Sequence, residues 1–240
     1  MDGPKKALSI TLILFLLSSV LLLLTGGAAL AALNWQDSGG PGIGEASSLA
    51  YDSVHDTLYA GTYGRGVWKY SGGAWSDTGG AVSSHWIHSL AYNSVLDTLY
   101  AGTVNGVWAY SGGAWSDTGG AVSSYYIRSL AYGSGYTILY AGTIGHGVWK
   151  YSGGAWSDTG GEVSSYNIYS LAYDSVHETL YAGTWGHGVW KYSGGAWSDT
   201  GGAVSSYGIP SLAYDPDHAT LYAGADGHGV WAHSGGVWKD

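Results

Sequence analysis

"SLAYDSVHDTLYAGTYGRGVWKYSGGAWSDTGG", residues 48 to 80, holds the unit from which most of the chain is built. It divides into four short runs: "SLAYD" from Ser48, "TLYAGT" from Thr57, "GVWKYS" from Gly66 and "GAWSDT" from Gly73. Each is rich in Tyr, Trp, Val, Thr or Leu and ends at a turn-forming residue, the pattern of a short β-strand. The unit recurs. Trp68, Trp108, Trp149, Trp190 and Trp231 all stand in "GVW", and "YSGGAWSDTGG" occurs unchanged at 70 to 80, 110 to 120, 151 to 161 and 192 to 202.

The runs do not alternate cleanly between apolar and polar residues, which implies sheets covered on both faces. A unit of about 41 residues with four strands, repeated five times, packs both faces when the sheets are arranged radially. The expected fold is therefore all-β, a five-bladed β-propeller of four-stranded blades. An open array of the same hairpins is the alternative, and it leaves the terminal repeats without caps.

Composition agrees with this reading. Among 240 residues there are 42 Gly, 13 Trp and 21 Tyr against one Phe and four Pro, the balance of many short strands joined by tight turns. Eight Lys and Arg against 17 Asp and Glu leave no basic footprint for a phosphate backbone, so nucleic acid is excluded as a partner. The absence of cysteine excludes disulfides and thiol chemistry. No N-x-S/T sequon occurs.

The N-terminal stretch reads differently. Lys5 and Lys6 precede an apolar run from Ala7 to Leu24, followed by Ala29-Leu30-Ala31, a small-x-small cleavage pattern. Residues 1–31 are expected to be an export signal cleaved after Ala31, or an uncleaved membrane anchor with the lysines inside. Residues 32–240 then form the propeller of a secreted or cell-surface protein. The outer-strand motif appears both in "NWQDSGG" from Asn34 and in "GGVWKD" from Gly235. That makes six outer strands for five blades, and the segment at Trp35 is expected to pair in or beside blade five.

"SLAYDPDHATLYAGADGHGVWAHSGGVW", from Ser211, resembles the sialidase-type (BNR, or Asp-box) repeats of extracellular propellers, and the resemblance extends over all five repeats. It implies an extracellular propeller, and the group includes glycoside hydrolases. The Asp box itself reads S-x-D-x-G-x-x-W, whereas this chain has Ser71-Gly72-Gly73-Ala74-Trp75, shorter and without the Asp. Sialidases hold the substrate carboxylate with a cluster of arginines. Two arginines, Arg65 and Arg128, are all this chain has, which excludes that activity.

With strands A to D counted outward from the axis, the D-to-A and B-to-C loops emerge on one face and the A-to-B and C-to-D turns on the other. The "YSGG" turn hardly varies. The D-to-A segments read "SSHWIHSL", "SSYYIRSL", "SSYNIYSL" and "SSYGIPSL", and the B-to-C loops "TYGRG", "TVNG", "TIGHG", "TWGHG" and "ADGHG". The candidate ligand-binding residues are therefore His85, Trp86, His88, Tyr125, Tyr126, Arg128, Tyr166, Asn167, Tyr169 and Tyr207, joined by Tyr63, Arg65, His146, Trp185, His187 and His228. Aromatic faces stack on sugars or apolar side chains while His, Asn and Tyr supply hydrogen bonds. Loop positions on a scaffold also drift freely, so variation alone does not establish a site.

His146, His187 and His228 occupy equivalent positions, but radial geometry separates such loops by ~10 Å, too far to share an ion whose bonds to nitrogen are ~2.1 Å. No metal and no cofactor is expected. The Asp of "WSDTGG", at Asp77, Asp117, Asp158 and Asp199 with Asp37 as a sixth, recurs as a structural part does. Glu162 and Asp226 are non-repeated acids on the variable face, and a glycosidase would need such a pair ~5 to 9.5 Å apart. The leading expectation is a binding module, not an enzyme, that recognises glycan or protein through the D-to-A and B-to-C face. A glycoside hydrolase using Glu162 and Asp226, and a structural or adhesive ring with exposed edges, are the alternatives. Membrane contact is expected only through the N-terminal segment.

Overall fold

The computed structural model describes residues 45–133, 135 and 137–240. The expected export signal and the Trp35 strand lie outside these residues. Blade 1 comprises β1 (Ala46–Asp52), β2 (Thr57–Thr62), β3 (Val67–Ser71) and β4 (Ala74–Asp77). Blade 2 comprises β5 (Ile87–Asn93), β6 (Thr98–Thr103), β7 (Gly106–Ser111) and β8 (Ala114–Asp117). Blade 3 has β9 (Ile127–Tyr132), β10 (Leu139–Thr143), β11 (Val148–Ser152) and β12 (Ala155–Asp158). Blade 4 has β13 (Ile168–Asp174), β14 (Thr179–Thr184), β15 (Val189–Ser193) and β16 (Ala196–Asp199), and blade 5 has β17 (Ser211–Asp215), β18 (Thr220–Ala225), β19 (Gly229–Ser234) and β20 (Val237–Lys239).

Every sheet is a four-stranded antiparallel meander in chain order. The first strands of successive blades touch in the series β1, β5, β9, β13, β17, which places them innermost. These are the blades of a five-bladed β-propeller. Among the described residues, β17 makes no comparable contact with β1.

Local chemistry explains the hairpins. The C-to-D turn needs positive φ at two successive positions, supplied by Gly72 (φ 59) and Gly73 (φ 84) and their counterparts. At the A-to-B turn the Asp52 carboxylate accepts hydrogen bonds from the backbone N–H of Val54 at 2.8 Å and of His55 at 3.0 Å. Asn93, Asp174 and Asp215 do the same in blades 2, 4 and 5. The D-to-A connections contain short 3-10 turns, Gly80–Val82, Gly120–Ser124, Glu162–Ser165 and Gly202–Val204, which a strand-only reading does not anticipate. Their purpose is burial: each tucks a fully buried valine, Val82, Val122, Val163 or Val204, between two blades.

The core is divided among the blade junctions. Between blades 1 and 2, Val67, Val82, Ile87 and Leu99 are buried together with Tyr59 and Leu90, and each such side chain contributes roughly 1.5 to 3 kcal/mol. The glycine of "LYAGT" permits that approach, because a Cβ on Gly61 would lie 2.5 Å from Cγ2 of Ile87. Two further contacts cross the junctions, and a third anchors one of them within its own blade. The outer-strand tryptophans Trp115, Trp156, Trp197 and Trp238 donate from the indole to Thr78, Thr118, Thr159 and Thr200 of the preceding blade. Those threonine hydroxyls donate in turn to the carbonyls of Val67, Val107, Val148 and Val189. On the axial side, Ser48, Ser89 and Ser129 accept from the N–H of Leu90, Leu130 and Leu171 in the next blade.

Candidate functional site

The side chains that differ between repeats form a connected arc across blades 1 to 4. Tyr63, at the start of the blade 1 B-to-C loop, meets Trp86 edge to face with ring centroids 5.8 Å apart and also meets His88 at 5.6 Å. His88 packs on Tyr126 at 4.6 Å. Arg128 donates from Nη1 to Nδ1 of His88 at 3.2 Å and lies 5.5 Å above the Tyr169 ring. Tyr169 in turn packs on Trp185 at 5.1 Å. Trp185 rests on Gly208, where a Cβ would come within 3.0 Å of the indole.

Position in the repeat explains why these residues meet. His88, Arg128 and Tyr169 each follow the buried isoleucine that opens an inner strand, so they occupy one register position around the axis. In blades 1, 3, 4 and 5 the B-to-C loop is tied to the lead of its own inner strand: Tyr63 N–H donates to the Glu45 carbonyl, Ile144 to Tyr126, Trp185 to Asn167 and Asp226 to Gly208. Two variable segments are thereby held side by side. Trp86 and Trp185 keep 54% and 48% of their surface exposed, so the arc offers two indole faces at either end of a polar pair, the buried His88 and the half-buried Arg128.

That pair has unusual electrostatics. Burial, and secondarily the Arg128 charge, push the His88 imidazole down to about 4. Arg128 can only donate, so Nδ1 of His88 accepts and the ring is neutral with its proton on Nε2. Nε2 is buried and has no hydrogen-bond partner, and neither has Nδ1 of His85. An unmatched buried donor or acceptor costs ~1 to 3 kcal/mol. Both nitrogens flank Trp86 in sequence.

Next to them the scaffold opens. The blade 2 loop "TVNG" is one residue shorter than its counterparts, and a shallow hollow of about 470 Å³ lies there, lined by Ser84, His85, Trp86, Val104 and Asn105.

The other expected residues form a different, repeated arrangement. His146, His187 and His228 stack face to face on Tyr125, Tyr166 and Tyr207 at 4.0, 4.1 and 3.8 Å. Each of these histidines accepts at its backbone carbonyl from Trp149, Trp190 or Trp231. The three clasps are separate, one to a blade, and each closes its own loop. Arg65 is exposed and uses its carbonyl in the same way, for Trp68. Asn167 is half-buried at the end of the arc. Glu162 and Asp226 are exposed, the first in a 3-10 turn and the second in the blade 5 loop, and neither belongs to the arc. The Asp of "WSDTGG" turns back on its own chain: Asp77, Asp117, Asp158 and Asp199 accept from the N–H two residues on at 2.8 Å.

Hollows between blades on the opposite face were not anticipated from the sequence. The one between blades 1 and 2, about 300 Å³, is lined by Asp52, His55, Tyr59, Tyr92 and Asp97 among others. The donor atoms of Asp52, His55 and Asp97 lie within 4.8 Å of one another, the one such group of three among the described residues. They are already engaged: His55 Nδ1 donates to Asp52 at 2.8 Å, and the Tyr92 hydroxyl donates to Asp97 at 2.6 Å. Both hollow and turn recur between blades 4 and 5 around Asp174 and His177, the mark of scaffold. Only hindsight marks the hollow in the sequence, as the recurrence of "DSVH" and "DPDH" at the A-to-B turn.

No protein-family model and no curated protein sequence matches the chain. Solved structures do. The extracellular domain of a putative one-component system from B. thetaiotaomicron superposes with a TM-score of 0.65 at 20% identity, over 77% of this chain and 26% of that one. A second structure of that extracellular domain, described as part of a putative hybrid two-component system, gives 0.64 at 20% identity over the same shares. The GH74 xyloglucanase from Xanthomonas campestris gives 0.63 at 15% identity, over 79% of this chain and 36% of that one. The chain thus spans between about a quarter and a third of the length of these neighbours, and what it shares with them is the propeller fold.

Proposed function

We propose that the chain is a surface-exposed or secreted propeller module that binds glycan through the arc from Trp86 to Trp185. The observation that carries this reading is the connection of side chains that differ from repeat to repeat, Trp86, Tyr63, His88, Tyr126, Arg128, Tyr169 and Trp185, into one continuous surface. Register position around the axis brings these places together in any case; what supports a binding role is the chemistry gathered there, two exposed indoles with tyrosines and an arginine where the repeats differ. Exposed indoles provide flat apolar platforms for sugar rings, and the hollow beside Trp86 is lined by the polar residues Ser84 and Asn105, which suit hydroxyl groups. The surface location rests on the N-terminal segment with its lysines, apolar run and Ala-Leu-Ala. Protein is the second ligand class, since Trp, Tyr and Arg are also the residues that anchor protein interfaces.

A glycan array followed by calorimetry on any hit tests the proposal. Trp86→Ala and Trp185→Ala are each expected to weaken binding about tenfold, equivalent to ~1.4 kcal/mol. A protein that binds no glycan on the array, or binds one equally well after both changes, does not use this arc for sugars.

A further inference from the structure

Blade 2 lacks one loop residue that the other blades have, and the hydrogen bonds around the loop fix which one. Thr103 Oγ1 donates to the Gly106 carbonyl as Thr143 Oγ1 does to Gly147. Gly106 N–H donates to the Tyr125 carbonyl as Gly147 N–H does to Tyr166. Both ends of the short loop are therefore anchored as elsewhere, and what is missing is the residue before the glycine, which is Arg65, His146, His187 or His228 in the other blades.

Where it is present, that residue has two contacts. Its carbonyl accepts from the indole of Trp68, Trp149, Trp190 or Trp231. In blades 3 to 5 its imidazole also lies flat on Tyr125, Tyr166 or Tyr207, the ring planes 6 to 7° apart. In blade 2 His85 holds the tyrosine's position, meeting Trp108 at 5.5 Å as Tyr125 meets Trp149 at 5.6 Å, but no ring covers it from the loop. Trp108 Nε1 is buried with no acceptor, so nothing else in the chain has replaced the lost carbonyl. The loop also stands off from the lead of its inner strand, Val104 making no counterpart of the bond from Ile144 to Tyr126. The hollow lined by Ser84, His85, Trp86, Val104 and Asn105 opens here, and its volume of about 470 Å³ falls within the roughly 300 to 1,000 Å³ of small-ligand sites.

We propose that this hollow receives the acetamido group of an N-acetylated sugar, in the place that the loop histidine fills in blades 3 to 5. The inference rests on the glycan reading above and narrows it. Those three blades show what the place holds: a small planar polar group laid flat on a ring, with a peptide carbonyl beside it. An acetamido group is planar, close to an imidazole in size, and brings a carbonyl acceptor and an N–H donor of the peptide kind. Ser84 and Asn105 offer it polar partners, and Val104 offers an apolar one for its methyl. The other planar substituent common in glycans is a carboxylate, and the lining contains neither lysine nor arginine to offset its desolvation. A hydroxyl is too small to cover the His85 ring.

The test titrates the full chain with sugars that differ only in acetamido for hydroxyl: N-acetylglucosamine against glucose, N-acetylgalactosamine against galactose, and chitotriose against cellotriose. In at least one pair the acetamido member is expected to bind about tenfold tighter. Inserting a histidine between Asn105 and Gly106 restores the loop length of the other blades, supplies both the ring and the carbonyl, and is expected to erase that preference. His85→Ala removes the platform without changing the loop and is expected to do the same, and cooperative unfolding shows that each variant is folded. Trp185→Ala, at the far end of the arc, is expected to weaken both members of a pair alike. Sugars that bind equally well with or without the acetamido group, or a preference that survives both the insertion and His85→Ala, overturn this inference and leave the glycan reading standing. Binding of none of these sugars, and of no glycan on the array, overturns both.

Discussion

Arg128 in blade 3 donates to Nδ1 of His88 in blade 2 at 3.2 Å, and the direction of that bond requires a neutral imidazole. The consequence is measurable. Burial first, and the Arg128 charge second, lower the His88 pKa from 6.5 to about 4, so between these values the unfolded chain binds a proton that the folded chain refuses. Stability contributed by the neutral ring is complete above about pH 6.5 and is lost as pH falls towards 4. The full effect is of the order of 3 kcal/mol. In urea unfolding at pH 7, 5.5 and 4, His88→Gln is expected to be less stable than wild type at pH 7 and to close most of that gap by pH 4. A gap independent of pH means that His88 is not held neutral.

Gly147 and Gly229 are equivalent in the repeat and share positive φ, 64 and 74. A Cβ at Gly147 would sit 2.6 Å from the Val163 carbonyl oxygen, whereas Gly229 is open. An alanine pays the left-handed backbone penalty, ~1 to 2 kcal/mol, at either site. Only at Gly147 must the backbone of the next connection also move, so Gly147→Ala is expected to cost several kcal/mol and Gly229→Ala only the first term. Chemical denaturation of the two variants makes the comparison. Equal losses would mean that the blade 5 face is covered as tightly as the internal junctions.

How much of this could be read beforehand follows from what repetition encodes. The strand runs at Ser48, Thr57, Gly66 and Gly73 appear within two residues of β1 to β4, because Gly-Gly turns and β-branched or aromatic runs act locally. Repetition also separated scaffold from candidate surface, and the arc draws on the variable positions His88, Arg128 and Tyr169. What stayed hidden is tertiary. Nothing in "SSYYIRSL" says that Tyr125 closes a loop with His146 while Tyr126 joins the arc with His88; the 3-10 turn that precedes them sets which side chain points where. The hollows around Asp52 and Asp174 form between blades, so no single repeat displays them.

The A-to-B turn contains its own substitution experiment. Asp174 accepts from the N–H of Val176 and His177 and from the His177 ring at 2.7 Å, and Asn93 at the equivalent place keeps both backbone bonds. Burial opposes the Asp174 charge, but hydrogen bonds from the Tyr214 hydroxyl, His177 and the backbone outweigh it and lower the pKa below 3.8. This stabilisation is present above about pH 4 and is lost as pH falls through the lowered value. Asp174→Asn is expected to cost about 1 kcal/mol at pH 6 and to flatten the acid limb of a plot of unfolding midpoint against pH. Asp174→Ala leaves two N–H groups without a partner and is expected to cost about 2 kcal/mol or more. An Asn variant as damaged as the Ala variant would show that the charge, not the turn bonds, holds this corner.

Trp156 and Thr118 provide the direct measure of what joins one blade to the next on the outer side. The indole N–H donates to Oγ1 of Thr118 at 3.0 Å, and the same hydroxyl donates to the Val107 carbonyl at 2.8 Å, so Thr118 links its own blade to the following one. Trp156→Phe keeps the apolar contact with Tyr151, whose ring centroid is 5.0 Å away, and removes the donor. Thr118→Val keeps the shape and removes both hydroxyl bonds. Because Thr118→Val also breaks the bond to Val107, the single variants differ in cost, and only the double variant isolates the inter-blade term. A coupling of about 1 kcal/mol is expected from the cycle, the net worth of one neutral hydrogen bond. A coupling near zero would mean that the tryptophan–threonine bond is a consequence of the packing of buried valine, isoleucine and tyrosine and adds nothing of its own to the outer side of the junction.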